Sequence, residues 1–343
     1  MGHFSHQRGV WCAVAAAAVL ALSGCASGAA AANGGSFSFG LWGDMPYAKA
    51  HDAPKIPALL ASINASDIAF SIYDGDIKDG SSRCEDATFD DAKKMFNALL
   101  RPTHYVPGDN EWTDCHRLNN GGFDNLERLA VLRKTMFSQP GSFGQTSMAT
   151  ERQGRPGEAY VENQRFAHQG VVFVTLNIPG SNNNLVVSAT DCSNKSARKP
   201  AQCDADNAEF LARDDANVRW LRESFAQARQ QGARGVVVVF QADPGFDLPE
   251  TENLDESLAP QFSGYRNFMA ELTAETEKFK GQVLMVHGDT HFFKHDMPLY
   301  SPTKLLPNFT RLETFGSPSV HWVRVVVDAS NPQLFTIQPV IVR

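Results

Sequence analysis

Four glycine–aspartate pairs stand out in the sequence, because each follows a short apolar run. They are Gly43-Asp44, Gly75-Asp76, Gly108-Asp109 and Gly288-Asp289. A single pair of this kind is ordinary turn chemistry, since both residue types favour turns. Four pairs, the last continuing through Thr290 to His291, instead indicate a group of carboxylate oxygens with one imidazole. Such donors suit Mg²⁺, Mn²⁺ and iron ions.

The spacing of the first three pairs predicts how they meet. Asp76 follows Asp44 by 32 residues and Asp109 follows Asp76 by 33, which is close to one strand–helix–strand unit each. Since right-handed crossovers make these strands parallel, we expect the three aspartates at one carboxyl edge of a sheet. Ligands bind at that edge in open α/β sheets. Three carboxylates there repel one another unless a cation lies between them.

The rest of the mature chain continues this alternation and predicts an α/β protein. We expect helices near 54–64, 89–100, 123–137, 207–231 and 265–279. We expect strands at 36–43, 68–73, 103–106, 158–167, 171–176, 236–240, 283–286, 312–315, 322–327 and 335–341. The polar segment 178–206 is predicted to be a long loop. One domain over residues 36–343 with two facing sheets is the simplest architecture.

These blocks, in this order, resemble the calcineurin-like metallophosphoesterase superfamily, which includes the purple acid phosphatases. The resemblance spans roughly residues 37–327, and the GDxxD block from Gly75 through Asp76 to Asp79 matches the family pattern. It implies a four-layer α-β-β-α sandwich, in which two mixed sheets are flanked by helices. It also implies a site for two metal ions at the strand ends.

The metal-site motifs of this sequence differ from those of the family. The histidine that usually follows the first aspartate is absent, and Tyr47 is the nearest substitute. Asp109 and Asn110 replace the family's Asn-His, and Gln241, or alternatively Asp243, replaces a strand-end histidine. In the last block, Asp289 replaces the first histidine and His291 retains the second.

The resemblance nevertheless implies a ligand set. One ion would bind Asp44, Asp76 and His291, and the other would bind Asp76, Asp109, Gln241 and Asp289. We therefore expect two divalent or ferric ions. Hard oxygen ligands favour Mn²⁺, Mg²⁺ or Fe over Zn²⁺, with Ca²⁺ as an alternative.

The catalytic residues are less clear from the motifs. Asn110 occupies the position of the histidine that usually helps to bind or protonate the substrate, yet an amide has no titratable proton. His287 and His116 are the candidate replacements. A missing general acid favours substrates with good leaving groups, since such an acid contributes roughly 10²–10⁴ in rate.

The expected function is an exported metal-dependent phosphoesterase that hydrolyses a phosphorylated small molecule through metal-activated water. The alternative is a catalytically degenerate lipoprotein that uses this fold as a binding module. Pro46, Asn110 and Gln241, which stand where the family's histidines are expected, favour that alternative. An α/β-hydrolase would need a Gly-x-Ser-x-Gly elbow, which the sequence lacks. Monoester, diester, pyrophosphate and phospholipid substrates are not separated by sequence, and neither is the oligomeric state.

Composition excludes some partners. The chain of 343 residues carries 31 Lys and Arg against 38 Asp and Glu, for a net charge of −7. An acidic chain has no general attraction to nucleic-acid phosphates, so no nucleic-acid partner is expected.

The N-terminus predicts export to the periplasm or cell envelope. Residues 1–24 have the order of a signal peptide, and the apolar run Val10–Leu22 is shorter than the ~20 residues that span a bilayer. Leu22-Ser23-Gly24-Cys25 resembles a lipobox, so Cys25 would carry a lipid and residues 25–35 would form a flexible tether. Ordinary cleavage within 26–32 is the alternative. Membrane contact is expected only through that lipid.

The cysteines left after export also fit an oxidising compartment. Cys84, Cys115, Cys192 and Cys203 allow two disulfides. The local pairing joins Cys192 to Cys203 and leaves Cys84 with Cys115, while the two other connectivities stay open.

Overall fold

A computed structural model describes residues 1–2, 35–47, 49–196, 198–246, 256–301 and 304–343. The predicted signal peptide, the lipobox and nearly all of the predicted tether lie outside these ranges. Residues Gly34–Arg343 form one compact unit. Within the described ranges, no helix is long and apolar enough to cross a membrane.

The first sheet has five strands in the order β14-β13-β1-β2-β3. Their bounds are β1 Phe37–Trp42, β2 Ser71–Tyr73, β3 Thr103–Tyr105, β13 Trp322–Val327 and β14 Phe335–Val340. β1, β2 and β3 are parallel, with Leu41 beside Ile72 and Ile72 beside His104. β13 is antiparallel to β1 and to β14. The predicted parallel arrangement of the first three strands is confirmed.

The second sheet has seven strands in the order β4-β5-β6-β7-β8-β12-β9. Their bounds are β4 Glu151–Arg152, β5 Gln164–His168, β6 Val171–Thr175, β7 Gly235–Val239, β8 Gln282–His287, β9 Lys294–Asp296 and β12 Phe309–Glu313. The four strands β6, β7, β8 and β12 are parallel, and the flanking strands are antiparallel. A separate pair joins β10 Tyr300–Ser301 to β11 Lys304–Leu305.

Helices cover the outer face of each sheet. The helices are α1 Ile56–Ala65, α2 Asp86–Asn97, α3 Asn125–Met136, α4 Gly180–Asn183, α5 Ala189–Ser193, α6 Pro200–Gln230 and α7 Arg266–Lys278. Short 3₁₀ helices lie at Ala53–Lys55, Thr113–His116, Leu118–Asn120, Glu256–Leu258 and Pro260–Tyr265. α1, α2 and α3 pack against the first sheet, and α6 and α7 pack against the second. The four-layer sandwich with two mixed sheets is thereby confirmed.

The predicted loop over 178–206 is partly wrong, because α4 and α5 lie within it and α6 begins in it. Ser188 caps α5 through the Asp191 backbone N–H, and α6 begins at Pro200, earlier than expected. Proline suits the first helical turn, where its missing N–H costs nothing. The side chain of Gln202 also accepts a hydrogen bond from the Lys199 backbone N–H, at 2.9 Å. Local capping therefore outweighs the polar composition of this segment.

Phenylalanine rings fill the space between the two sheets. Phe39 of β1 and Phe173 of β6 meet edge to face with ring centroids 5.0 Å apart, and Phe70 lies 5.0 Å from Phe173. All three are fully buried. This inner layer fixes the position of one sheet on the other, and hence of the loops that leave both.

Substitution of Phe173 by alanine tests this packing. We expect Phe173→Ala to lower the free energy of unfolding by ~3–5 kcal/mol, because it leaves a cavity between the sheets. Leu211→Ala, on an exposed position of α6, should change it by only ~0.5 kcal/mol. Urea unfolding measures both. Equal losses would mean that the aromatic layer does not hold the sheets together.

Candidate metal centre

Loops from both sheets meet where their parallel strands end. Asp44, Asp76 and Asp109 follow strands of the first sheet, and Asp289 follows β8 of the second. The Asp44 backbone N–H donates to Gly75 O at 2.8 Å, and the Asp289 N–H donates to Asp44 Oδ2 at 3.1 Å. The structure therefore brings together the four aspartates of the Gly-Asp pairs.

Backbone conformation singles out the same residues. Asp44, Asp76, Asp289 and His291 have φ values of 47°, 61°, 79° and 71°, in the left-handed region that residues with a side chain rarely adopt. Such conformations cost free energy and persist where the surrounding structure enforces them, commonly at functional sites. Four together on one edge favour a functional site over ordinary turns.

Close approach explains two of the glycines that precede these aspartates. A Cβ on Gly288 would lie 1.9 Å from Asp44 Oδ2, and one on Gly108 would lie 2.0 Å from Asp76 Oδ1. No side chain fits at either position. The Gly-Asp pairs therefore reflect crowding of carboxylates against backbone as well as turn geometry.

Each carboxylate is held by a different neighbour. Asp76 accepts from the Asn110 backbone N–H at 3.1 Å and also from the Asn110 side-chain amide. Asp109 Oδ2 accepts from Ser181 Oγ at 2.8 Å. Asp289 accepts from the Asp243 backbone N–H at 3.0 Å and from Gln241 Nε2 at 3.4 Å, so both of its oxygens are held by the loop that follows β7.

Asp44 has an oxygen that lacks a hydrogen-bond partner. Its Oδ1 is buried, accepts no hydrogen bond from the described residues, and lies 3.6 Å from His291 Nε2. The same His291 nitrogen lies 3.3 Å from the Tyr47 hydroxyl, while Nδ1 lies 2.7 Å from Ser317 O. Tyr47 thus stands beside His291, as expected for the residue nearest to the missing histidine.

Asp109 and Asp289 face each other across Gly180. A Cβ built on Gly180 would lie 2.8 Å from Asp109 Oδ2 and 2.9 Å from Asp289 Oδ1. Gln241, whose side-chain carbonyl accepts from the Gly180 N–H at 2.6 Å, is the third predicted ligand at this point. These three are the residues that the resemblance assigned to the second ion together with Asp76.

Burial raises the pKa of the central carboxyls. Loss of hydration raises the pKa of Asp76 well above its usual range, and the charges of Asp109, Glu111 and Asp44 raise it further. Burial also raises the pKa of Asp289, with Asp109 as the next cause. The pKa of Asp44 is raised by burial against the opposing effect of His291. A cation among these groups would relieve both causes.

The donors fit metal ions of the hard type. In the described ranges, no three His, Cys, Asp or Glu side chains are already gathered as ligands of one ion. The chemistry of the set still suits a cation, because buried carboxylates surround an orphaned Asp44 oxygen with an imidazole beside it. Mg²⁺, Mn²⁺ and iron accept such oxygen-rich sets.

Sequence reasoning missed three residues of the site. Asp74 is buried beside Asp44, and its Oδ2 accepts from Thr314 Oγ1 at 2.8 Å. Asp114 and Ser181 contact Asp109. Asp74 could have been found as an acid at a strand end. Ser181 lies in the segment predicted as a featureless loop and carries no such signal.

Ser181 reaches the site on a left-handed turn. Ser181, Asn182, Asn183 and Asn184 have φ values of 52°, 55°, 59° and 67°, so α4 winds opposite to a normal helix. Asparagine tolerates this conformation better than most residues. The turn carries the Ser181 hydroxyl to 2.8 Å from Asp109 Oδ2 and 2.7 Å from Asp114 Oδ1.

Two carboxylates share the single Ser181 hydroxyl. A hydroxyl donates one hydrogen bond, whereas Asp109 and Asp114 both lie within hydrogen-bond distance of Ser181 Oγ. Burial, followed by the charge of Asp109, raises the pKa of Asp114 to about 8, although its ion pair with Arg117 opposes the shift.

Arg213 of α6 holds the left-handed turn. Its guanidinium is fully buried and donates to Asn177 O and Asn183 O, both at 2.9 Å. It also lies over the Trp112 ring, 5.0 Å from the centroid. Trp112 follows Asp109 in the third loop, so one side chain braces two loops of the site.

The three predicted catalytic residues lie in different places. Asn110 contacts Asp76 within the site. His116 is buried at the edge of a neighbouring cavity, where burial and the charges of Arg198 and Arg117 lower its pKa to about 3. His287 is buried, Nδ1 lies 2.9 Å from Gly288 O, and burial lowers its pKa to about 4. No described side-chain contact joins His287 to Asp44, Asp76, Asp109 or Asp289, although the charge of Asp243 acts on its imidazole.

Two cavities adjoin the carboxylates. The first has a volume of about 710 Å³ and is lined by Asp76, Asp109, Asn110, Asp289 and His291, among others. The second has a volume of about 470 Å³ and contains His116 in its wall. Asp114, Arg117 and Asp289 line both, so the cavities meet at the centre.

Comparisons with known proteins extend to fold alone. No family model matches the chain, and no curated protein matches it. Solved structures that resemble it include PhoD, at 10% identity over 89% of this chain and 68% of that chain, with a TM-score of 0.49. A purple acid phosphatase from yellow lupin (Lupinus luteus) seeds, PPD1, is 11% identical over 90% of this chain and 54% of that chain, with a TM-score of 0.48.

GAP50, described as the anchor in the inner membrane complex of Plasmodium, is also similar. It is 11% identical over 90% of this chain and 89% of that chain, with a TM-score of 0.44. The sandwich described above agrees with the metallophosphoesterase resemblance at the level of fold. No conclusion about activity rests on likenesses of this size.

Two Asp→Asn variants in one loop test the charge of the centre. Without metal, the Asp76 carboxyl disfavours the folded state above pH ~4, because its folded pKa exceeds the unfolded value. Asp76→Asn should therefore stabilise metal-free protein at pH 7 by ~1 kcal/mol. Wild-type stability should fall as pH rises above ~4, and the variant should show less of this slope.

Asp79→Asn is the matched control with the opposite sign. Although burial opposes it, hydrogen bonds from Ser81 and Ser82 hold the pKa of Asp79 well below its usual range. Its ionised form favours folding, so Asp79→Asn should destabilise the protein at pH 7. Urea unfolding in a chelator measures both variants. Shifts of the same sign would contradict this electrostatic description.

Arg213→Met tests the brace of the left-handed turn. It removes the guanidinium donor of the buried Asn183 carbonyl and one of the two donors of the Asn177 carbonyl, which keeps Asn217 Nδ2, and it breaks the ion pair with Glu209. We therefore expect a loss of ~3 kcal/mol or more. Arg219→Met on the same helix removes an exposed pair with Asp215 and should cost at most ~1 kcal/mol. Urea midpoints measure the difference. Similar midpoints would show that the turn does not depend on Arg213.

Proposed function

We propose that the protein is a metal-dependent phosphoesterase that hydrolyses an ester of a phosphorylated small molecule. The observation that carries the proposal is that Asp76, Asp109, Asp289 and His291 line one cavity, with Asp44 buried beside Asp289 and His291. Buried carboxylates there raise one another's pKa, and a site that concentrates such groups is a functional candidate.

The ligands of the two ions would be those expected from the sequence. Asp44, Asp76 and His291 would hold one, and Asp76, Asp109, Gln241 and Asp289 would hold the other. Bound ions of this kind supply charge that polarises the phosphoryl group and activates water for attack on phosphorus. Mn²⁺, Mg²⁺ and iron are favoured over Zn²⁺ by the oxygen donors.

Residues of the chain would position the substrate. The Asn110 amide lies beside Asp76 at the wall of the first cavity, where it could donate to a phosphoryl oxygen once a cation occupies Asp76. Arg117 lies where the cavities meet and is held by Asp114 and Ser181. The low pKa values of His116 and His287 leave both imidazoles neutral at pH 7, which supports a preference for good leaving groups.

A binding module on the same fold is the second candidate function. Asn110 favours this function, because its side-chain amide stands where a proton donor is expected. That amide already donates to one oxygen of Asp76, and the Asn110 backbone N–H donates to the other. The two functions differ in turnover, and a binding module could hold one structural ion or none.

Export is part of the proposal. Residues 1–24 would direct it, and Cys25 would attach the mature chain to the envelope through a lipid. The disulfides Cys84–Cys115 and Cys192–Cys203 are both formed, which agrees with the predicted local pairing. They support an oxidising compartment, because disulfides rarely persist in the cytosol.

Metal content and turnover test the function together. We expect about two equivalents of metal by mass spectrometry and hydrolysis of p-nitrophenyl phosphate, because the leaving group needs no acid. Asp76→Asn should lose metal and lower kcat/KM by ~10²-fold or more. Asp79→Asn serves as the control and should retain its metal. If added Mn²⁺ or Mg²⁺ neither binds nor gives turnover, the catalytic proposal fails and the binding module remains.

A further inference from the structure

The second cavity is built mainly by three segments other than the loops of the four Gly-Asp pairs. Its walls come from the 3₁₀ helix Thr113–His116, the region from Ser181 to Arg198, and the 3₁₀ helix Pro260–Tyr265. Its volume of about 470 Å³ is that of a small-molecule site. Since Asp289 and Asp114 line both cavities, a phosphoryl group at the centre would direct its remaining substituent into this space.

The cations of this cavity are already engaged. Among the described residues that line it, the guanidinium groups are those of Arg117 and Arg198. Arg117 pairs with Asp114 and donates to Ser181 Oγ at 3.1 Å. Arg198 pairs with Asp206 at 2.8 Å and donates to Cys192 O at 3.1 Å. All three Arg198 nitrogens already donate hydrogen bonds, whereas Arg117 keeps N–H groups that would face the phosphoryl group where the two cavities meet.

Two carboxylates of the wall lack a cationic partner in the described ranges. Asp191 accepts from the Val187 backbone N–H at 3.1 Å, and Asp243 accepts from the Gly245 backbone N–H at 3.0 Å. Backbone hydrogen bonds support a carboxylate but do not cancel its charge. Among the described residues of the lining, carboxylates therefore outnumber guanidinium groups, next to apolar and amide groups. Arg311, whose charge also acts on Asp243, is paired with Asp296.

The remaining lining suits an uncharged organic group. Val186 and Phe262 offer apolar surface, and the Gln261 and Asn194 amides are exposed at the rim. A compound with a hydrocarbon face and a few hydroxyl groups could contact both kinds of surface. A second anionic group would instead meet Asp191 and Asp243, which make no ion pair with the described residues.

We infer that the second cavity receives the alcohol part of the ester and selects neutral or cationic alcohols over alcohols that carry an anionic group. The inference rests on the proposed function, since it assigns the phosphoryl group to the carboxylate centre. It separates organic phosphate esters from pyrophosphate and nucleoside polyphosphates, whose leaving groups are anionic.

A series of three esters with similar alkyl leaving groups tests the selection by charge. Ethanolamine phosphate has a cationic alcohol, glycerol 3-phosphate a neutral one, and 3-phosphoglycerate an anionic one. We expect kcat/KM for the first two esters to exceed that for the third by about tenfold. This is the expected effect of one repulsion between like charges that partly hydrated space separates. Calorimetric Kd values for the metal-loaded protein give the same comparison without turnover.

A positive charge added to the wall of the second cavity tests the same selection with a variant of the protein. Val187 lines the cavity with 46% of its surface exposed, so a lysine there should fold normally. Val187→Lys should reduce the preference against 3-phosphoglycerate about fivefold or more. Leu100→Lys adds the same charge at a position with 47% exposure that does not line the cavity, and should leave the preference unchanged.

The outcomes separate this inference from the proposed function. Equal or better use of 3-phosphoglycerate by the wild type, or equal effects of the two lysine variants, would overturn the inference while hydrolysis still supports the function. A binding preference with the expected order, combined with no turnover even of p-nitrophenyl phosphate, would support the cavity assignment and overturn the hydrolase. Failure of all three esters to bind would overturn the cavity assignment, and absence of p-nitrophenyl phosphate hydrolysis as well would overturn both.

Discussion

Repulsion among carboxylates at the ends of parallel strands is the constraint on which this structure depends. Asp44, Asp76 and Asp109 leave the first sheet on one edge, and Asp289 joins them from the second. Burial raises the free energy of each charge, and proximity raises it further. Nothing local favours that arrangement, since several of these residues also adopt a left-handed backbone conformation. The favourable terms must come from elsewhere in the fold, chiefly from the apolar layers that fix both sheets.

Rigid elements hold the aspartates, whereas a braced loop holds their neighbours. Strand pairing and the phenylalanine layer set where Asp44 and Asp76 emerge, with glycine making room for the carboxylates. Ser181 depends instead on a left-handed turn, which Arg213 stabilises from a helix that packs on the other sheet. The same guanidinium contacts Trp112 beyond Asp109. The geometry of the second ion site and the wall of the second cavity thus share one support.

Much of the centre could be predicted because its signals are local. Strand–helix–strand spacing gives parallel strands, and parallel strands give a common edge for the aspartates. Ser181 gives no such signal, because its turn requires Arg213 from far along the chain. His287 makes no described contact with the four aspartates, and the alternation of side chains along a strand explains why. Met285 packs on the helix side of β8 and Val286 between the sheets, so residue 287 returns to the helix side. Proximity in sequence to Gly288-Asp289 was therefore misleading.

Asp109 and Asp289 stand where the metallophosphoesterase pattern has neutral donors, and their charges affect the stability of the metal-free protein as well as the choice of metal. An imidazole or amide ligand adds no charge to the metal-free protein, whereas the charge of Asp109 raises the pKa of both Asp76 and Asp289. The metal-free state is consequently destabilised at neutral pH, and a bound cation would relieve that destabilisation. Metal binding and folding stability are then coupled more tightly than with a nitrogen-rich set. Protons compete with the cation for the same carboxylate oxygens. Because the pKa values of these carboxyls are raised, protons should replace the metal at a pH well above the usual carboxyl pKa. The coupling between metal binding and folding stability should therefore weaken as the pH falls.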